Sequence, residues 1–229
     1  LGSSSTFTVG LLMAGYALNN QMITKNQLAQ DAIEVEQHRI GESVGSQDQT
    51  AASFGGLNRI NFGGYREVNV TPLTVSLEKV NNLQNHLMLF FTGFSRNAAD
   101  IAQKQIEISS NKTKELNIMV ELCQEAEKLL VSSEDGFLEW GELLNEQWKI
   151  KKSMTNLVTN SKIDEMYDEG IKSGALGGKL LGAGGGGFIL FFVPPEKQKQ
   201  LSENLKDFLH VPFKFDFTGS QIVYHSKNA

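Results

Sequence analysis

Three groups of residues in this sequence have the types and spacing for phosphate or metal chemistry. Near the start, Gly2-Ser3-Ser4-Ser5 precedes apolar residues at three- and four-residue steps, Phe7, Leu11, Ala14 and Leu18, so small residues open a helix. Backbone N–H groups there can approach an anion closely, the helix dipole adds about half a positive charge, and a serine hydroxyl can reach a metal. An ordinary serine N-cap fits the same spacing. Far downstream, Gly182-Ala183-Gly184-Gly185-Gly186-Gly187 matches the dinucleotide fingerprint in its first, third and sixth glycines. That fingerprint must open a helix, whereas Phe188 to Val193 is aromatic and β-branched enough to be a strand, so the match is rejected. Four consecutive glycines carry an entropy cost that a plain turn does not require, so the loop is one that a ligand or a neighbouring backbone approaches closely. Lys179 precedes the glycines, which excludes the GxxxxGK[ST] phosphate loop. The third group is acidic: Glu34 and Glu36 near the end of a second helix, and Asp48 in the polar stretch Gly45 to Gln49. Phosphoryl transfer needs hard oxygen ligands for Mg²⁺ and a group that orients or deprotonates the attacking hydroxyl, and carboxylates commonly fill both roles. An Asp in a polar loop is ordinarily only solvated.

The elements that must position these residues follow from pattern. Thr24 with Gln27 has capping-box spacing, and Leu28, Ala32 and Val35 continue a helix toward Arg39. After a polar loop from Gly41 to Gln49, Leu57 to Phe62 and Tyr65 to Val70 flank Gly63-Gly64, a hairpin signal with two residues free to take positive φ. Leu87 to Phe91 is a buried strand. Ser95 to Trp148 is mostly helical, with Leu116, Met119, Cys123 and Leu130 as one inward face. Ser161 with Asp164 caps a further helix that ends near Gly174. A strand from Phe188, a helix after Pro194-Pro195 and a strand from Val211 to Phe217 complete the pattern. The predicted fold class is α+β, with a boundary near Asn82 and an antiparallel sheet under helices in the second domain.

Composition narrows the function classes. With 229 residues, 40% of them hydrophobic, the chain has material for a real core. A formal charge of −5 and the lack of any basic run argue against nucleic acid as a partner. The longest apolar run, Phe188 to Val193, is far short of a membrane span. The single cysteine, Cys123, fits a reducing compartment, hence a cytoplasmic location, and its apolar neighbours suggest a core thiol.

The three groups, in this order, resemble the GHMP superfamily of small-molecule kinases. Leu1-Gly2-Ser3-Ser4-Ser5 is similar to the end of that family's phosphate-loop motif PxxxGLGSSA, with Ser5 where the motif has Ala. Lys179 to Gly187 looks like its C-terminal glycine motif, and Glu36 and Asp48 fall where the family carries a Mg²⁺-binding glutamate and a catalytic aspartate. Within the superfamily, Gly45 to Ala52, Phe54-Gly55-Gly56 and Phe91 to Arg96 resemble bacterial D-glycero-D-manno-heptose 7-phosphate kinases. The resemblance implies an N-terminal α/β domain, incomplete here, plus a ferredoxin-like C-terminal domain, over residues 1–82 and 83–229. It implies ATP and Mg²⁺ as cofactors and a small-molecule sugar phosphate as substrate. Gly2, Ser3 and Ser4 then hold nucleotide phosphates, Ser4 and Glu36 the metal, and Asp48 the attacking hydroxyl. Gly182, Gly184, Gly185 and Gly186 belong to a loop that closes over the reacting groups. Arg96, a forked cation, suits a substrate phosphate, and a helix-start salt bridge fits it equally. A kinase of another small sugar and a catalytically silent protein of the same fold remain open readings. The absence of the family's first motif leads us to expect a longer polypeptide, with on the order of 100 further residues upstream.

Overall fold

The computed structural model describes residues 2–64, 67–94, 98–132 and 138–226. They form two compact units, one from Gly2 to Leu73 joined by the segment from Phe215 onward, the other from Thr74 to Lys214. The expected boundary near Asn82 lies inside a helix, and the chain divides instead at Leu73.

The first unit opens with α1 (Ser3–Leu18), followed by α2 (Lys25–Glu34), a π-helical turn (Val35–Ile40) and α3 (Gln47–Phe54). The Thr24 hydroxyl accepts from the Gln27 backbone N–H at 3.1 Å, so α2 starts at the capping threonine expected. Helix α1 has its expected span but a different inner face. Ser5 and Val9 are buried, while Phe7, Leu11 and Leu18 are exposed. Val9 joins Leu28 and Ala32 in a small core that Leu12, Met13, Ile23 and Ala52 extend. The polar loop expected from Gly41 to Gln49 ends early, because Gln47 already begins α3. Strands β1 (Asn58–Phe62) and β2 (Val68–Pro72) pair antiparallel with Phe62 opposite Val68, so the turn is longer than the two glycines, neither of which takes positive φ. The segment from Phe215 is tied back onto this unit: Gly56 N donates to Asp216 O, Ser220 N to Ala52 O, and Lys25 Nζ to both Phe54 O and Thr218 O, at 2.7–2.9 Å.

The second unit is an antiparallel sheet in the order β4-β5-β3-β6, from β3 (Leu87–Phe91), β4 (Gly177–Leu180), β5 (Phe188–Phe192) and β6 (Leu209–His210). Its helices are α4 (Leu77–His86), α5 (Ala98–Ser109), α6 (Thr113–Ser132), α7 (Glu139–Met154), α8 (Ser161–Lys172) and α9 (Gln198–Asn204). Phe90, Phe191, Trp148, Ile163 and Leu180 are central to its core. Sequence patterning missed α4, a short helix capped by Ser76 that buries Val80 and Leu83, and β4, whose paired glycines disguise a strand. Gly177 is required there, since a Cβ would sit 1.9 Å from the Gly141 carbonyl oxygen of α7. Three other expectations are corrected. The cap of α8 is Asn160, whose side-chain oxygen accepts from Ile163 N, rather than Ser161. The last strand is only Leu209–His210, with one further backbone bond from Val211 N to Leu89 O, rather than a strand from Val211 to Phe217. Cys123 is exposed rather than in the core: on α6 Leu130 faces inward as expected, but its companions are Leu122 and Ala126 instead of Cys123. No helix among the described residues is long and apolar enough to cross a membrane.

Candidate active site

Glu36 is the most confined carboxylate of the first unit. It lies in the π-helical turn that prolongs α2, the kind of local widening that re-aims a side chain and often accompanies a functional site. Only 1% of it is exposed. Ser5 Oγ, in the first turn of α1, donates to Glu36 Oε2 at 2.8 Å, and Gln49 Nε2 of α3 donates to the same oxygen. Glu36 Oε1 is buried and has no hydrogen-bond partner among the described residues. An unpartnered buried carboxylate oxygen costs free energy unless something else satisfies it, and a hard cation does so.

Asp48 lies beside this group. It occupies the first turn of α3 and leans on Gly2, so that a Cβ on Gly2 would meet Asp48 Cγ at 3.1 Å. Gly2 has φ 56°, a left-handed conformation that precedes Ser3 and turns the chain into α1. Burial holds the Asp48 carboxyl above its ordinary range, and the negative charge of Glu36 pushes it further the same way. The start of α1 thus meets two carboxylates from two other elements. Gly2→Ala is expected to lower activity of the full-length protein about tenfold or more through strain at φ 56° and displacement of Asp48. A variant with unchanged turnover would show that this contact is dispensable.

In the second unit the glycine loop between β4 and β5 is held from several sides. A Cβ at Gly184 would lie 2.8 Å from Val158 Cα, and one at Gly186 would lie 2.7 Å from Phe94 O, so backbone approach from within the unit demands those two glycines. Gly185 N donates to Val158 O and Gly187 N to Phe94 O. Two consecutive carbonyls are gripped by side chains: Lys151 of α7 donates to Gly182 O at 2.5 Å, and Gln105 of α5 to Ala183 O at 2.7 Å. A trans peptide points its C=O and N–H in opposite directions, so these grips also fix the aim of the Ala183 and Gly184 amides, away from the side chains that hold the carbonyls. Burial, then the nearby Lys179 charge, lowers the Lys151 ammonium to about 8. Lys151→Met should free the loop start and raise amide exchange at residues 182–184 several-fold; unchanged exchange would mean the glycines alone set its shape.

The sequence-derived residues therefore fall into distinct places. Gly2, Glu36 and Asp48 come together in the first unit, but the hydroxyl that reaches Glu36 is Ser5, and Ser3 and Ser4 are exposed. Gly182, Gly184, Gly185 and Gly186 share one loop of the second unit. Arg96 lies outside the described residues. Ser5, Gln49 and Lys151 were not singled out as site residues, and their partners, 31, 13 and 31 residues away, leave no local signal.

Comparison with known proteins settles the family. Residues 1–56 match the GHMP kinases N-terminal domain and residues 120–211 match the GHMP kinases C-terminal region. The chain belongs to the GHMP kinases. Its similarity to one curated family member, the D-glycero-alpha-D-manno-heptose 7-phosphate kinase of Campylobacter jejuni, is 34% identity over 95% of the chain and 64% of that protein. A solved D-glycero-D-manno-heptose 1-phosphate kinase from Bacteroides thetaiotaomicron superposes with a TM-score of 0.68 at 26% identity, over 98% of this chain and 64% of the other. The Methanococcus jannaschii mevalonate kinase shares the fold, with a TM-score of 0.69 at 22% identity over 92% and 62%. This GHMP kinase chain thus spans just under two thirds of the length of the relatives it matches. The N-terminal match includes Ser5, Glu36 and Asp48, and the C-terminal match includes Lys151 and the glycine loop.

Proposed function

We propose that this chain is part of an ATP- and Mg²⁺-dependent cytoplasmic kinase that phosphorylates the anomeric hydroxyl of a sugar phosphate, D-glycero-D-manno-heptose 7-phosphate. The observation that carries the reading is the meeting of two carboxylates with unlike surroundings at the start of α1. Glu36 is buried with one oxygen unpartnered, and Asp48 is part-exposed with a raised pKa. The similarity to the Campylobacter heptose 7-phosphate kinase supports the choice of acceptor.

Glu36 fits a Mg²⁺ ion through Oε1. Among the described residues no group of three or more His, Cys, Asp or Glu could cage a metal, so a cation here needs a serine hydroxyl, water and nucleotide phosphates to complete its shell, as Mg²⁺ sites on phosphate substrates commonly do. Held by Glu36 and a serine hydroxyl, the ion would supply positive charge to offset the negative charge of the phosphates. The backbone N–H groups of the first turn of α1, from Gly2, Ser3 and Ser4, bind phosphate with the helix dipole behind them, and the Ser4 hydroxyl is offered to the metal. Asp48 orients the sugar hydroxyl and takes its proton as the oxygen attacks the γ-phosphorus, the bond to the β–γ bridging oxygen breaking as the new P–O bond forms. In the second unit Gly184 and Gly186 are taken up by close packing against Val158 and Phe94, and Gly185 N by Val158 O, so Gly182 is the loop glycine we assign to the nucleotide. Arg96 is assigned to the acceptor's phosphate.

The test is phosphate transfer from ATP by the full-length protein across a panel of sugars and sugar phosphates. Heptose 7-phosphate should be preferred; transfer to a different sugar replaces the acceptor, and no transfer to any of them removes the kinase reading. Glu36→Gln should raise the Mg²⁺ concentration for half-activity about tenfold or more, since a neutral amide is the weaker ligand. An unchanged requirement would take Glu36 off the metal.

A further inference from the structure

Glu36 carries its hydrogen bonds on one side only. Each carboxylate oxygen offers about two lone-pair directions. Ser5 Oγ and Gln49 Nε2 both donate to Oε2, which fills it, and Oε1 takes no bond among the described residues. The arrangement is enclosed, with Ser5 3%, Glu36 1% and Gln49 0% exposed. Both donors are neutral, so they fix the carboxylate's orientation without cancelling its charge. They also come from different helices, α1 and α3, so the carboxylate cannot turn without breaking a bond to one of them.

A carboxylate held in this way can offer a cation only one oxygen. Ca²⁺ is large, takes six to eight oxygens and readily accepts both oxygens of one carboxylate; Mg²⁺ keeps six ligands in a near-ideal octahedron and takes one oxygen from each. We propose that Ser5 and Gln49 are positioning residues that commit Glu36 to single-oxygen ligation through Oε1 and thereby select Mg²⁺ or Mn²⁺ over Ca²⁺. The inference rests on the reading of Glu36 as the metal ligand. It adds to that reading a source of metal specificity in two side chains that need not touch the metal, and it explains why a hydroxyl at position 5 faces inward instead of toward solvent.

The experiment is a Mn²⁺ titration of the full-length protein followed by electron paramagnetic resonance, with one equivalent of a non-hydrolysable ATP analogue and competition by Mg²⁺ or Ca²⁺. In the wild type Mg²⁺ should displace Mn²⁺ well ahead of Ca²⁺. Ser5→Ala, which deletes one oxygen atom from the interior, should narrow the Ca²⁺/Mg²⁺ ratio several-fold, and Ser5→Ala with Gln49→Met about tenfold, as expected for residues that orient a ligand. Ser5→Thr keeps the hydroxyl and should restore the wild-type ratio, which a purely structural role for the site would not require. If Gln49→Met disturbs folding, Ser5→Ala alone decides. Persistent Mn²⁺ binding with an unchanged ratio in the Ser5→Ala protein overturns the inference and leaves the kinase reading standing. Mn²⁺ binding that Glu36→Gln does not weaken overturns both.

Discussion

Asp48→Asn in the full-length protein is expected to lower turnover by roughly 10²–10⁴-fold, the range for loss of a general base, while leaving nucleotide affinity nearly unchanged and raising thermal stability. The kinetic half follows from the role proposed for Asp48 on the acceptor hydroxyl, with the nucleotide proposed to lie at the start of α1. The stability half follows from the sign of its pKa shift. Burial, and secondarily the charge of Glu36, raise the folded-state pKa above the ordinary 3.8. Below the ordinary value the carboxyl is protonated in both states and costs nothing. As pH rises through the raised value the folded state must carry an ionised, partly desolvated group, so stability is lost across that window and stays lost at neutral pH. Asn removes the charge and keeps the shape. Melting curves of the two proteins should coincide in acid and separate toward neutral pH, with the variant higher. The wild-type kcat/KM should fall on the acid side with its midpoint above the usual aspartate range, since only the ionised form accepts a proton. Near-normal turnover in the variant would take Asp48 out of the mechanism, and a lower melting point would show that its charge is stabilised rather than strained.

The parts of this molecule that are legible in sequence are those whose partners are close along the chain. Thr24 caps α2 through a residue three positions on, and the run Leu87 to Phe91 identifies itself as a buried strand by composition. The elements that escape are short or polar ones defined by what they pack against. β4 is half glycine because α7 crosses Gly177 within backbone contact at Gly141 while Leu190 O and Phe191 of β5 crowd Gly178, and α3 is polar because its buried side chains, Gln49, Thr50 and Ser53, serve a hydrogen-bonded interior. The candidate site divides in the same way. Glu36 and Asp48 are suitable acidic residues by type but ordinary by local pattern, and resemblance to a family motif is what sets them apart from neighbours such as Glu34. The same resemblance draws attention to Ser4 for the metal and passes over Ser5, since the motif has no hydroxyl there; only the fold brings Ser5 onto Glu36 across 31 residues. The interior face of α1 shows the limit of periodicity. Phe7, Leu11 and Leu18 make the stronger apolar stripe, yet the weaker one through Ser5 and Val9 points inward, because Leu28 and Ala32 of α2 lie on that side.

The glycine loop gives the other large expected effect, and it separates two reasons for the same residue type. At Gly184 a side chain would collide with the backbone of Val158 at 2.8–2.9 Å, and φ is 123°, a conformation that L side chains rarely adopt. Backbone atoms cannot swing aside as a flexible side chain can, so the segment around Val158, which is itself fully buried in the core, must shift. Strain and overpacking each cost on the order of 1–3 kcal/mol, so Gly184→Ala should destabilise the second unit by roughly 3 kcal/mol or more, a loss of several degrees to about ten in its unfolding midpoint. At Gly182 nothing lies within 4 Å of an added Cβ, and only the left-handed φ of 78° opposes it. Gly182→Ala should therefore cost about 1–2 kcal/mol and leave the loop in place. Its value lies in activity. If the open side of Gly182 is where reacting groups approach, Gly182→Ala will depress turnover out of proportion to its small loss of stability, whereas Gly184→Ala will lose both together. Calorimetry paired with initial rates on the full-length variants reads the two effects separately. Equal destabilisation by the two substitutions would mean that Val158 yields easily, and full activity in a folded Gly182→Ala protein would show that the loop's first glycine serves only the turn.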